Sequence, residues 1–162
     1  MQPWWLAVGV GVVVGILAIR LWKPMRDRWW TNTFAKARKQ FHLERERLEA
    51  RFFEMASKSG KPKWLIWTDC DFDDDVAYAR DRRSGELVSL VAVTIRFAAV
   101  EGGPMEEVEA VHNLRAATAV FHYRRGRWHT FGRALFNLNP TEAIAHYRQD
   151  YEMVGHEPAT PR

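Results

Sequence analysis

The chain is 162 residues long and 47% hydrophobic, with 24 Lys and Arg against 20 Asp and Glu for a net charge of +4. Its single cysteine, Cys70, excludes an intrachain disulfide and suits a reducing compartment. No internal repeat and no low-complexity tract interrupts it.

The first element is the stretch from Trp4 to Trp22, apolar throughout except for Arg20. At about 1.5 Å rise per residue such a helix reaches roughly the 30 Å of a bilayer's hydrocarbon core. A helix satisfies its backbone internally, which lipid demands. No Lys or Arg precedes the run and no A-x-A pattern follows it, so the features of a cleaved signal peptide are missing. Trp4, Trp5 and Trp22 stand at its ends, where indole rings favour the headgroup region. Arg20, Lys23, Arg26 and Arg28 follow, offset only by Asp27. Positive residues beside a span stay in the cytoplasm, so the expected topology is single-pass, with the N-terminus outside and the polar part inside. Membrane-interface residues are then Trp4, Trp5, Trp22, Lys23, Arg26 and Arg28, with the lipid bilayer as the first partner. Ala7, Gly11 and Gly15 recur every fourth residue. They give one helix face on which two backbones can approach closely, a route to a homo-oligomer through the span. Residues 1–30 thus read as an anchor with a basic juxtamembrane segment.

Residues 31–60 read as one long amphipathic helix. Thr31, Asn32 and Thr33 offer cap oxygens, and the run from Phe34 to about Lys58 is rich in good helix formers. Phe34, Phe41, Leu48 and Met55 recur every seventh residue, widened by Ala37 and Phe52. Charge at the companion positions Glu44 and Arg51 speaks against a two-stranded coiled coil and for a stripe laid on the domain's own sheet or on a neighbour. Gly60 and Pro62 end the run.

Residues 61–155 read as an antiparallel sheet with a C-terminal helix, and 156–162 as a frayed tail. Trp64–Thr68 and Val76–Arg80 are strand candidates separated by a polar loop. Gly85 suits a hairpin turn, and Leu87–Val100 is a long strand with one face clearly more apolar than the other, as in a sheet covered on one side. Met105–Leu114 reads equally as a short helix or an edge strand. Arg115–Tyr123 and Arg127–Phe136 form a hairpin about Arg125-Gly126, and a two-residue turn would place Tyr123 opposite Trp128 and His122 opposite His129. Asn139, Pro140 and Glu142 start a helix extending to about Met153. The expected fold is α+β: a transmembrane helix, a long amphipathic helix packed on a curved antiparallel sheet, and a short C-terminal helix.

This order looks like that of cystatin-like and NTF2-like domains, an analogy of fold that implies no activity. The stretches DFDDDVAYARDRRSGEL and NLRAATAVFHYRRGRWHTFGRALFNLNPTEAI resemble an uncharacterised family of small membrane-anchored bacterial proteins. That resemblance implies an anchored α+β domain and brings no catalytic residues.

Asp69, Asp71, Asp73, Asp74 and Asp75 form the densest charge cluster. Crowded carboxylates repel unless water, arginine or a cation relieves them. Asp69, Asp71, Asp73 and Asp75 are the candidate ligands for Ca²⁺ or Mg²⁺. The calcium-loop pattern begins at Asp69 but fails at Asp74, where glycine belongs, and at Arg80, where glutamate belongs. The polar alternative pairs these charges with Arg80, Arg82 or Arg83. Leu65–Asp71 also looks like the first motif of haloacid-dehalogenase-type phosphotransferases, which implies Asp69 as nucleophile and Asp71 as general acid/base. That fold needs a parallel sheet, whereas this chain turns into a hairpin. Side by side across the hairpin, His122 and His129 could hold zinc, but a site wants three or four ligands and the sequence assures no other, so a polar cross-strand pair is the expected reading. Arg124, Arg125 and Arg127 make a basic tip without any nucleic-acid motif, so no nucleic-acid partner is expected. The sequence therefore points to a membrane-tethered, non-enzymatic interaction or scaffolding module on the cytoplasmic face, with an unknown protein partner. The alternative is a small-ligand or divalent-metal domain using the sheet concavity or the Asp69–Asp75 cluster.

Overall fold

The computed structural model describes residues 32–58 and 64–159. The anchor, its interface residues, the Ala7, Gly11, Gly15 face and the Gly60-Pro62 helix end lie outside the described residues. The chain divides between Lys39 and Gln40, and the packing described here is that of the unit from Gln40 onwards.

Residues 32–58 are helical (α1), so Asn32 and Thr33 sit inside the helix rather than capping it. Five strands follow: β1 (Leu65–Asp81), β2 (Leu87–Ala99), β3 (Arg115–Arg124), β4 (Arg127–Phe136) and β5 (Tyr151–Glu157). A short helix, α2 (Pro140–His146), stands between β4 and β5. All pairings are antiparallel and the order is β4-β3-β2-β1-β5. The α+β class with an antiparallel sheet is as the sequence suggested.

The stripe on α1 is what holds it. Phe41, Leu48 and Phe52 are buried. Phe41 meets Tyr78, Phe121 and Trp128 edge-on at 6.2, 5.5 and 5.0 Å, and Phe52 meets Phe72 at 5.6 Å. Such edge-to-face pairs contribute about 0.5–1.5 kcal/mol each beyond burial. Tyr78, Ser89 and Phe121 are cross-strand neighbours. By alternation Val91, Val93, Ile95 and Phe97 share this face, and all four are buried. Phe34, expected on the same stripe, belongs to the first unit and is half-buried.

Three expectations need correction. The sheet is covered on both faces where Val76–Ala79, Leu87–Val91 and Ala117–Phe121 run together, because every residue there is buried. The second face carries α2: Ala143 and Ile144 pack with Ala77, Ala79, Val88, Leu90, Val120 and Leu135. Next, the helix begun at Asn139 stops at His146, not near Met153. A full capping box starts it, with Asn139 accepting from the Glu142 N–H and Glu142 accepting from the Asn139 N–H. Tyr151–Glu157 then pairs with Val76–Asp81, so His156 and Glu157 are strand rather than tail. The core half of β1 would otherwise leave its outer row of N–H and C=O groups buried and unpaired. Of the two readings open for Met105–Leu114, the short helix is met in part: tight turns lead into a 3₁₀ helix, Glu109–His112.

Candidate functional site

The acidic run is not a loop. It lies inside β1, a single strand of 17 residues. Two irregularities make room for it: one extra residue between Trp67 and Asp69, and two between Phe72 and Val76. β5 pairs only with Val76–Asp81, so among the described residues Leu65–Asp75 is an open sheet edge. Charges and bulges are the means by which open edges avoid pairing with other chains.

The carboxylates diverge to different partners. Asp69 faces Arg96 at 3.6 Å, with both side chains more than half exposed, and accepts from the Cys70 N–H. Asp71 lies opposite Thr94. Asp73 accepts from the Asp74 N–H at 2.7 Å, and its carbonyl accepts from Arg45 on α1. Asp74 pairs with the same Arg45 at 3.0 Å. Asp75 meets His156 Nε2 on β5 at 2.7 Å. Arg45, Arg96 and His156 are thus the partners that Asp74, Asp69 and Asp75 meet. Arg83 pairs with Asp150 instead, at 2.8 Å, and Arg82 reaches Glu152 at 3.5 Å. Among the described residues no group of three or more His, Cys, Asp or Glu side chains is placed to hold a metal ion. Burial, with Asp69 beside it, pushes the Cys70 thiol up to about 12, so the thiolate needed for nucleophilic attack is scarce near neutrality.

The β3–β4 hairpin forms with the register the sequence implied: Tyr123 opposite Trp128 and His122 opposite His129. Arg125 and Gly126 both take positive φ, +52° and +79°, as a tight two-residue turn requires. The Tyr123 and Trp128 rings stand 5.1 Å apart, and Trp128 is buried under Phe41. The aromatic residues of the basic tip are thus used in packing, and Arg124 is held by both oxygens of Glu86. His122 and His129 stack at 6.4 Å with Phe131 against both. Burial, then repulsion from His129, lowers the His122 imidazole below its ordinary value, against an opposing pull from Glu86 and Asp81.

Two concavities were not legible in the sequence. The first runs between α1 and β4, which ends the sheet. It encloses about 520 Å³ and is lined by Arg47, Leu48, Arg51, Met55, Trp128, His129, Thr130 and Phe131. Phe131 is 55% exposed there. It begins a bulge that puts two extra residues into β4 between Thr130 and Ala134. The second lies at the opposite end of the sheet from Arg125-Gly126. It is a cavity of about 320 Å³ whose walls are Leu65, Phe97, Met105, Val108, Val111 and Phe136, with Arg115 and Asn137 as its polar members.

No protein-family model matches this chain, and no curated protein or solved structure proved similar to it.

Proposed function

We propose that this chain is a membrane-tethered, non-enzymatic interaction module, held by the apolar run Trp4–Trp22 with its α+β part on the cytoplasmic face. The observation that carries the reading is the groove along β4. An end strand offers unpaired backbone groups, and an exposed aromatic ring is an anchor of the kind that dominates binding energy at interfaces. Arg47 and Arg51 on α1 border the same groove, next to Leu48 and Met55. No helix among the described residues is long and apolar enough to cross a membrane. The tether is assigned on Trp4–Trp22 and the basic residues after it, and the Ala7, Gly11 and Gly15 face is its expected self-association surface.

Replacing Phe131 by a photocrosslinking phenylalanine analogue in the full chain tests this. The chain should stay in alkali-washed membranes and yield an adduct of discrete mass at that position, with none at a control analogue placed at Ser84. Recovery in the soluble fraction overturns the tether; an intact membrane pool without a Phe131 adduct overturns the groove. Gly11→Ile with Gly15→Ile should separately lower self-association in a membrane two-hybrid assay, and an unchanged signal rejects that face.

A further inference from the structure

The groove beside β4 is shaped before anything enters it. Its strand wall is the bulge after Thr130, and one hydroxyl ties that bulge down. The Thr130 hydroxyl donates to the Val120 carbonyl at 2.9 Å and accepts from the Gly132 N–H at 3.1 Å. Gly132 then comes so close to α1 that a Cβ on it would stand 2.4 Å from the Ala56 nitrogen. That approach sets the spacing between the strand wall and the helix wall. Phe131, between these two residues, rests on the His122 and His129 rings at 5.5 and 5.6 Å and is still more than half exposed. A ring held this way loses little freedom when a partner covers it.

The charge of the groove is one-sided. Its lining includes two guanidiniums, Arg47 and Arg51, and no carboxylate. They stand one turn apart on α1, with Lys58 two turns further along the same side. The Glu44 carboxyl is held below its ordinary value by Gln40 first, then, against desolvation, by Arg47 and by Arg127 at the start of β4. Arg47 pairs with Glu44, and Arg51 and Lys58 both pair with Glu54. Arg47, Arg51, Lys58 and Arg127 thus outnumber Glu44 and Glu54. Both arginine side chains are more than half exposed, and each engages its glutamate through one nitrogen, which leaves donors for a further carboxylate. Exposed pairs between helix neighbours are weak enough to be exchanged.

We infer that this groove takes an extended acidic segment of another protein, with an apolar side chain against Phe131 and carboxylates at Arg47 and Arg51. The inference rests on the reading of the groove as the interaction site and names the chemistry of its partner. β4 has no strand beyond it among the described residues, so a polypeptide can run along this wall. Arginine clusters and end strands are both recurrent means of peptide recognition. A planar guanidinium matches a carboxylate through two parallel N–H donors, which sets the sign and the type of the partner's charged groups.

The test uses the full chain in nanodiscs of zwitterionic lipid and three short fluorescein-labelled peptides: a Leu-Phe core flanked by glutamates, the same core flanked by lysines, and a Ser-Ser core flanked by glutamates. Fluorescence anisotropy should show saturable binding of the first, weakening as salt rises, and binding of the other two at least about tenfold weaker. Arg47→Gln with Arg51→Gln should weaken the first peptide about tenfold. Arg47→Glu with Arg51→Glu should reverse the preference toward the lysine peptide, a gain that a misfolded chain cannot show. No saturable binding of the first peptide, or a preference that charge reversal leaves unchanged, overturns the inference. The photocrosslinking analogue at Phe131 distinguishes this failure from failure of the underlying reading. An adduct of undiminished yield in the Arg47→Glu, Arg51→Glu chain, an adduct to lipid, or one of twice the chain's mass leaves the groove in use and overturns the acidic partner. No adduct in either chain overturns the groove itself.

Discussion

Gly132 shows how narrowly one position fixes α1 on the sheet. It sits in the β4 bulge with φ +71°, and a Cβ there would stand 2.4 Å from the Ala56 nitrogen and 2.7 Å from the Met55 carbonyl carbon. Gly132→Ala therefore meets both a left-handed backbone penalty and a clash with helix backbone that cannot turn aside. We expect a loss of about 2–4 kcal/mol, read as a fall in the urea midpoint with an unchanged slope. His122 makes a second prediction, with a definite sign. Its pKa is depressed on folding, so the unfolded chain takes up this proton first as pH falls. Its contribution is constant above the ordinary histidine range and declines as pH drops through about 6.5 toward the lowered native value. His122→Gln should flatten that part of the stability–pH curve; an unaltered slope would contradict the assignment. Arg45 is the third case. It reaches Glu49, Asp74 and the Asp73 carbonyl, yet Asp74 is 65% exposed. Arg45→Met should cost about 1–2 kcal/mol, while a double-mutant cycle with Asp74→Asn should return a coupling below about 1 kcal/mol.

At the scale of elements, the β3–β4 turn still carries a local conflict. Arg125 occupies a positive-φ position that asparagine accepts more readily. Arg125→Asn should raise stability by roughly 0.5–1 kcal/mol, measurable as an upward shift in melting temperature. This hairpin was legible because two turn residues set its register, and α1 was legible because Phe41, Leu48 and Phe52 carry a helical period. β5 was hidden for the same reason: Ala143, Tyr147 and Tyr151 are spaced as on a helix face, and only the need of Val76–Asp81 for a partner breaks that pattern. The acidic run misled in the other direction. Aspartate is a turn residue by local preference, and the bulges that keep it in a strand arise from pairing with β2. The long-range cavity had no sequence signal, since Leu65, Phe97, Val111 and Phe136 meet only through the sheet order.

The whole unit is a sheet with different protection on its two sides. On the β1 side Leu65–Asp75 is guarded by charge and by two irregularities. On the β4 side a bulge and an exposed Phe131 stand instead. If the aspartates serve to keep the first edge from pairing, then Asp69→Asn, Asp71→Asn and Asp73→Asn together should leave the fold intact and make the unit associate with concentration, seen by sedimentation velocity. A persistent monomer would remove that explanation of the cluster. The placement of β5 has a further bearing on the lifetime of the protein. β5 is the outer cover of a fully buried stretch of β1, from Val76 to Ala79. A cut in the turns at residues 147–150 would thus release the strand whose loss bares that core, so a single surface nick would strip the sheet of its cover.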